Sequence, residues 1–168
     1  MELRLANEAD LPRLKIMYNK IVTQMNENNI QIWDDVYPSE FLAEDIKQKH
    51  LYVLIDHETI VGAFALSDTH LGAQAMQWEN TQAKAFYIDR FGVNADYLKR
   101  GLGSLMLKEA MTVAKDKAGE YLRLFVVDMN TPAIKLYIKN GFKQVEGVLE
   151  EKIDDELTLW EYGFEIKL

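Results

Sequence analysis

The chain has 168 residues, 48% hydrophobic and 27% charged, with a formal net charge of −8, the make-up of one soluble globular domain with a sizeable core. It has no cysteine, which excludes disulfides, thiolate metal sites and a cysteine nucleophile. The acidic balance argues against non-specific nucleic-acid binding and is compatible with a cationic small molecule or a basic peptide as partner.

Glu2 to Leu5 is a strand candidate. It carries neither the basic start nor the apolar core of a signal peptide, and no apolar run in the chain is long enough to cross a bilayer. A cytoplasmic location with no membrane partner is the expectation. Leu11, Leu14, Tyr18, Ile21, Val22 and Met25 form a helical stripe, with Asn7 as N-cap and Asn26-Glu27-Asn28-Asn29 as its end. Ile30 to Pro38 reads as a loop, and Ser39 to Lys49 as a second helix capped by Ser39. Leu51 to Ile55 and Ile60 to Leu66 read as a hairpin joined by Asp56-His57-Glu58-Thr59. Ser67 to Lys84 has no clear period and is expected to be a long loop.

Ala85 to Val93 is a long strand. The next helix is marked by Leu102, Leu105, Met106, Ala110, Val113 and Ala114 and closed by Gly119. Tyr121 to Val127 is nearly continuously apolar, as a strand buried on both faces is. Thr131-Pro132 starts a short helix, Thr131 as cap and proline at the first helical position, which ends at Asn140-Gly141. Phe142 to Val148 and Leu157 to Leu168 are the last strands, and the acidic run Glu150 to Glu156 between them is a solvated loop. The order β-α-α-β-β-β-α-β-α-β-β mixes hairpins with crossover helices, so the α/β fold should contain a mixed sheet. His50, His57 and His70 never fall three or four residues apart, so no histidine-based metal site is expected.

The segment Val93-Asn94-Ala95-Asp96-Tyr97-Leu98-Lys99-Arg100-Gly101-Leu102-Gly103-Ser104 carries the most chemistry. An apolar strand runs into a basic, glycine-containing turn that opens a helix. Free N–H groups and the macrodipole make such a start an anion site, and glycine lets a phosphate approach. A Walker P-loop is excluded because no Gly-Lys-Ser/Thr follows, and a Rossmann fingerprint fails for want of the third glycine. Alone, the turn is equally readable as a tight structural loop.

The second motif is Asn130-Thr131-Pro132-Ala133-Ile134-Lys135-Leu136-Tyr137-Ile138-Lys139-Asn140-Gly141-Phe142. Together the two resemble the GNAT family of N-acetyltransferases. The family's first motif is roughly Val-x-Pro-x-Tyr-Gln/Arg-x-x-Gly-x-Gly, and its second is Asn-x-x-Ala-x-x-Leu-Tyr-x-x-x-Gly-Phe, matched here at Asn130, Ala133, Leu136, Tyr137, Gly141 and Phe142. The element order fits from end to end, so the resemblance implies one N-acetyltransferase domain over residues 1–168. The implied acyl-CoA N-acyltransferase fold has its sheet splayed between the fourth and fifth strands. Two positions depart from the pattern. Ala95 replaces the usual proline, and Leu98 replaces a glutamine or arginine; the second change weakens cofactor binding or shifts that task to Lys99 or Arg100.

The resemblance implies transfer of acetyl from acetyl-coenzyme A (acetyl-CoA) to an amine of a small molecule or peptide, by direct attack and without a metal. The strand end Phe91-Gly92-Val93 would pair with the pantetheine arm. Amides of Leu98, Lys99, Arg100, Gly101, Leu102, Gly103 and Ser104 would cradle the pyrophosphate, and Asn130 would position the pantetheine. Tyr137 would protonate the leaving thiolate, a task that suits a group with a reference pKa near 10. Read without the family, Tyr137 is a core tyrosine on an amphipathic helix. Asp89 is the candidate general base, with Asp128, Glu161 and proton loss through water as rivals. Ile30 to Pro38 lies where the family builds its acceptor pocket. There Trp33 and Tyr37 could wall the pocket, and Asp34 or Asp35 could attract an ammonium group, or the two aromatics simply pin the loop to the core. Trp78 is a weaker candidate for the same pocket. A homodimer is common in the family. The alternative from another class is a non-catalytic acyl-CoA-binding or sensor domain on the same fold.

Overall fold

A computed structural model describes residues Met1–Leu168. In chain order the strands and helices are β1 (Glu2–Leu5), α1 (Leu11–Glu27), α2 (Leu42–Lys47), β2 (Leu51–Asp56), β3 (Thr59–Ser67), β4 (Met76–Gln77), β5 (Ala85–Val93), α3 (Leu102–Asp116), β6 (Tyr121–Val127), α4 (Thr131–Lys139), β7 (Lys143–Gln144), β8 (Glu146–Gly147), β9 (Leu149–Lys152) and β10 (Thr158–Lys167). No helix is long and apolar enough to cross a membrane. The chain divides into two compact units, Met1–Leu66 with Asp89–Glu109, and Ser67–Ile88 with Ala110–Leu168.

In the first unit the strand order is β1-β2-β3-β5. β2 pairs antiparallel with both β1 and β3, in the expected hairpin. The stripe of α1 packs on these strands: Leu14, Tyr18 and Ile21 share a core with Leu42, Leu51, Val53 and Ala63. Burial of each such side chain is worth roughly 1.5–3 kcal/mol, which fixes α1 where its own propensity could not. Asn7 caps a 3-10 turn, Glu8–Asp10, that leads into α1. Its side chain accepts from Ala9 N–H while Asp10 answers with a bond to Asn7 N–H, a full capping box.

Ser39 does not cap α2. It opens a 3-10 turn, Ser39–Phe41, that no side chain caps, and α2 proper starts three residues later behind Phe41. Pro38 fixes the chain direction there, so backbone turns replace a side-chain cap (Glu40 N–H donates to Val36 C=O at 2.8 Å).

In the second unit β5 pairs parallel with β6, from Ala85↔Tyr121 to Ile88↔Leu124, and β10 pairs antiparallel with β6. The sheet is mixed, as expected. β10 is also flanked by β7 and β9, while β4 and β8 form a two-stranded sheet of their own. The expected strand Phe142 to Val148 is therefore two short pieces with different partners. The acidic run is not all loop either, since Glu150 and Glu151 lie on β9 opposite Trp160 and Leu159. Three consecutive exposed charges, with no alternation, hide this strand from a hydrophobic-period reading.

Two caps differ in detail from expectation. Asn130, not Thr131, is the N-cap of α4, its side chain accepting from Ala133 N–H at 3.4 Å. After α3 it is Ala118 that takes the left-handed backbone, with φ 59. Gly119 serves close approach instead, since a Cβ there would meet Ala114 O and Phe86 Cδ2 at 2.8 Å.

Candidate functional site

The turn between β5 and α3 is built from the strand end outward. Asn94 is 7% exposed; its side chain donates to Ile60 C=O at 3.0 Å and accepts from Asp96 N–H at 3.1 Å, and its backbone N–H donates to Val61 C=O at 3.0 Å. One side chain thus ties β5 to β3 and caps the 3-10 turn Ala95–Tyr97. Asp96 reaches Lys20 of α1 at 2.5 Å, and the Arg100 guanidinium lies over the Tyr97 ring at 4.8 Å. Beyond that anchor the backbone is extended at Leu98 and left-handed at Lys99 (φ 61) and Gly101 (φ 77).

A Cβ at Gly101 would meet nothing within 4 Å, so the turn presents open space. The helical bond Leu105 N–H to Gly101 C=O, at 3.1 Å, places the start of α3 here. Leu102 and Gly103 N–H therefore have no carbonyl one turn earlier in the helix. Leu98, Lys99 and Arg100 are exposed, Leu102 is buried, and Gly103 and Ser104 are half-buried.

Earlier in the same unit Trp33 and Tyr37 come together, ring centroids 6.2 Å apart. Trp33 packs on Tyr18 and Tyr37 on Phe41. The Asp34 carboxylate accepts from Val36 and Tyr37 N–H at 2.8 and 2.7 Å, so it shapes the loop that carries these rings. Next to the rings is a group that sequence reasoning missed. Arg90, in the middle of β5, makes a bidentate pair with Asp45 of α2, Nε to Oδ2 at 2.6 Å and Nη2 to Oδ1 at 2.8 Å. Its guanidinium lies over Phe41 at 5.5 Å, and its C=O accepts from the buried Tyr18 hydroxyl at 2.5 Å. A single cation inside an apolar strand was the signal available; nothing in the pattern of α2 marked Asp45.

Burial pushes the Asp45 carboxyl up from its ordinary range, against the pull of the Arg90 charge. Burial also works against the Arg90 charge, but Asp45 and Asp89 outweigh it and its pKa is raised. Burial pushes the Tyr18 hydroxyl up as well, keeping it a donor. Asp89 is half-buried, Phe91 stacks on Phe64 at 6.4 Å and Val93 is half-buried at the strand end.

In the second unit Tyr137 is buried on α4, its ring 6.0 Å from Phe142 and 6.3 Å from Phe164. Asn130 sits at the start of the same helix. Asp128 is exposed and Glu161 half-buried. Trp78 is buried, its Nε1–H donating to Ala73 C=O at 2.7 Å, and it forms one face of a structural cluster. Arg123 lies over its ring at 4.6 Å, pairs with Glu165 at 3.1 Å and donates to Asn80 C=O at 2.7 Å. No group of three or more His, Asp and Glu side chains is arranged to hold a metal ion.

The turn after β5 thus leaves an open helix start, and Tyr137 lies buried on the helix after β6. The model of the acetyltransferase (GNAT) family matches residues 17–142, and the chain belongs to that family. It is 28% identical over 145 residues, 86% of this chain and 85% of the other, to YwnH of Bacillus subtilis (strain 168), provisionally named a phosphinothricin acetyltransferase. The fold is shared with a GNAT-family acetyltransferase of Streptococcus agalactiae 2603, with a TM-score of 0.79 and 15% identity over 99% of this chain and 95% of that one. It is shared also with yncA of Salmonella typhimurium, solved with its cofactor acetyl-CoA, with a TM-score of 0.71 and 16% identity over 100% of this chain and 94% of that one.

Proposed function

We propose that the whole chain acts as one acetyltransferase domain, moving an acetyl group from acetyl-CoA to an amine of a small molecule or a peptide. The observation that carries this is the turn Leu98–Gly103 in a chain of this family. A left-handed Gly101 with no neighbour within 4 Å of a Cβ precedes the first amides of α3, and that fits a pyrophosphate. The exposed Lys99 and Arg100 add positive charge where Leu98 supplies none. Bound acetyl-CoA supplies an activated thioester carbonyl.

The Leu102 and Gly103 amides would hold its pyrophosphate, with Ser104 beside them, and the backbone of Phe91 to Val93 would take the pantetheine as an added strand. Asn130 orients the same arm. Asp89 receives the proton the ammonium acceptor loses before its nitrogen bonds to the acetyl carbon. Tyr137 would give its phenolic proton to the sulfur as the C–S bond breaks, and the second proton that the nitrogen sheds on becoming an amide would restore the phenol. Trp33 and Tyr37 wall the acceptor, and Asp34 holds the loop they stand on. Titration calorimetry with acetyl-CoA, followed by thiol release against a panel of amino acids, small amines and peptide N-termini, tests the reading. Saturable binding and acceptor-dependent release are expected; no binding at millimolar acetyl-CoA ends it.

A further inference from the structure

We propose that Arg90 is a positioning residue of acetyl transfer: the clamp formed by Tyr18 and Asp45 on Arg90 sets the direction of Asp89–Val93, the stretch of β5 offered to the pantetheine arm and, through Asp89, to the acceptor's proton. The inference rests on the proposed function. Arg90 has φ 51 in the middle of a nine-residue strand. For a residue with a Cβ the left-handed region costs about 1–2 kcal/mol, and such a residue persists only where its surroundings over-determine it.

They do so here from three sides. Tyr18 of α1, fully buried, donates to the Arg90 carbonyl. Asp45 of α2 holds the guanidinium by two bonds, with both side chains largely buried. Phe41 covers its face. A regular strand alternates its side chains, so residues on either side of one position share a face. A left-handed residue breaks that alternation, as a β-bulge does, and re-aims its neighbours. The neighbours are Asp89, close enough to Asp45 and Arg90 to act on the ionisation of both, and Phe91, stacked on Phe64.

The two ends of the segment are thus held differently: Asn94 ties the far end to β3, and the Arg90 clamp ties the near end to α1 and α2. A purely structural clamp would change stability without changing the affinity of the molecules that remain folded.

The test compares wild type with Tyr18→Phe and Asp45→Asn by amide hydrogen exchange of the free protein and by acetyl-CoA calorimetry below the unfolding transition. Faster exchange confined to Asp89–Val93, with affinity about tenfold weaker, is the expected result. Should Asp45→Asn fail to fold, the double variant Arg90→Gly/Asp45→Asn removes both partners together and strands no charge; the same local loosening and affinity loss are expected. Folded variants that bind within about twofold of wild type overturn the positioning role alone. A wild type that does not bind overturns the proposed function instead.

Discussion

Tyr137 illustrates how little a residue's burial says about its role. It is 6% exposed and packed between two phenylalanines, as a core tyrosine would be. The proposed proton transfer separates the roles. Tyr137→Phe keeps the ring and its packing, so the unfolding midpoint and acetyl-CoA affinity stay near wild type while kcat falls about 100-fold. A binding-only domain would have no turnover to lose. Asp10 gives a residue-scale prediction about stability. It is fully buried between Arg4 and Arg13, at 2.7 Å from each. The hydrogen bond from Arg4 leads the causes that hold its carboxyl at about 2. The folded value lies below the ordinary 3.8, so the stabilisation is complete above that ordinary value and disappears as pH falls through about 2. At neutral pH it is worth on the order of 2 kcal/mol. The wild-type midpoint should therefore drop between about pH 4 and pH 2, and Asp10→Asn should start lower and flatten that drop, as thermal melts across the range would show.

At the scale of elements, what was legible was what a period or a breaker announces. The stripe of α1, the apolar β6 and the Asn140-Gly141 stop all have local causes, and β5 was readable to the residue. What was not legible depends on distant partners. β4 and β8 are two residues each and exist only through each other; β9 exists through β10. The Arg90–Asp45 pair joins residues 45 positions apart, and no spacing rule reaches that far. Asn94 belongs to both groups. It was visible in the motif as an unassigned position, yet its work, the bond to Ile60 C=O, is long-range. Asn94→Ala removes that bond and the 3-10 cap, at a cost of about 1–3 kcal/mol. The expected outcome is a midpoint several degrees lower and weaker acetyl-CoA binding, because the turn loses its anchor; calorimetry with and without ligand reads both.

For the whole molecule, family membership was legible because two short motifs stood at the right separation on the right elements. The acceptor was not: the Ile30 to Pro38 loop, proposed above to wall it, gets its shape from contacts such as Asp34 with its own backbone. A ligand that binds only the folded chain stabilises it by mass action. At 100 times its dissociation constant, acetyl-CoA should add about 2.7 kcal/mol, or roughly 5–10 °C in the midpoint for a chain of this size. A scan that shows no shift at saturating acetyl-CoA contradicts the proposed function.

The position of β9 has a further consequence, for solubility. It is paired on one side, by β10, and a strand with a free edge is a template on which another chain can add. Here Glu150, Glu151 and Lys152 are all exposed. Carboxylates on both faces of the strand repel the same strand of a second molecule, in a protein that already carries −8. Replacing Glu150 and Glu151 with valine would leave the pairing with β10 intact while turning a repellent edge into a sticky one. Light scattering of a concentrated sample on standing should rise for that variant and stay flat for the wild type; equal scattering would mean the charges on β9 do not guard the edge.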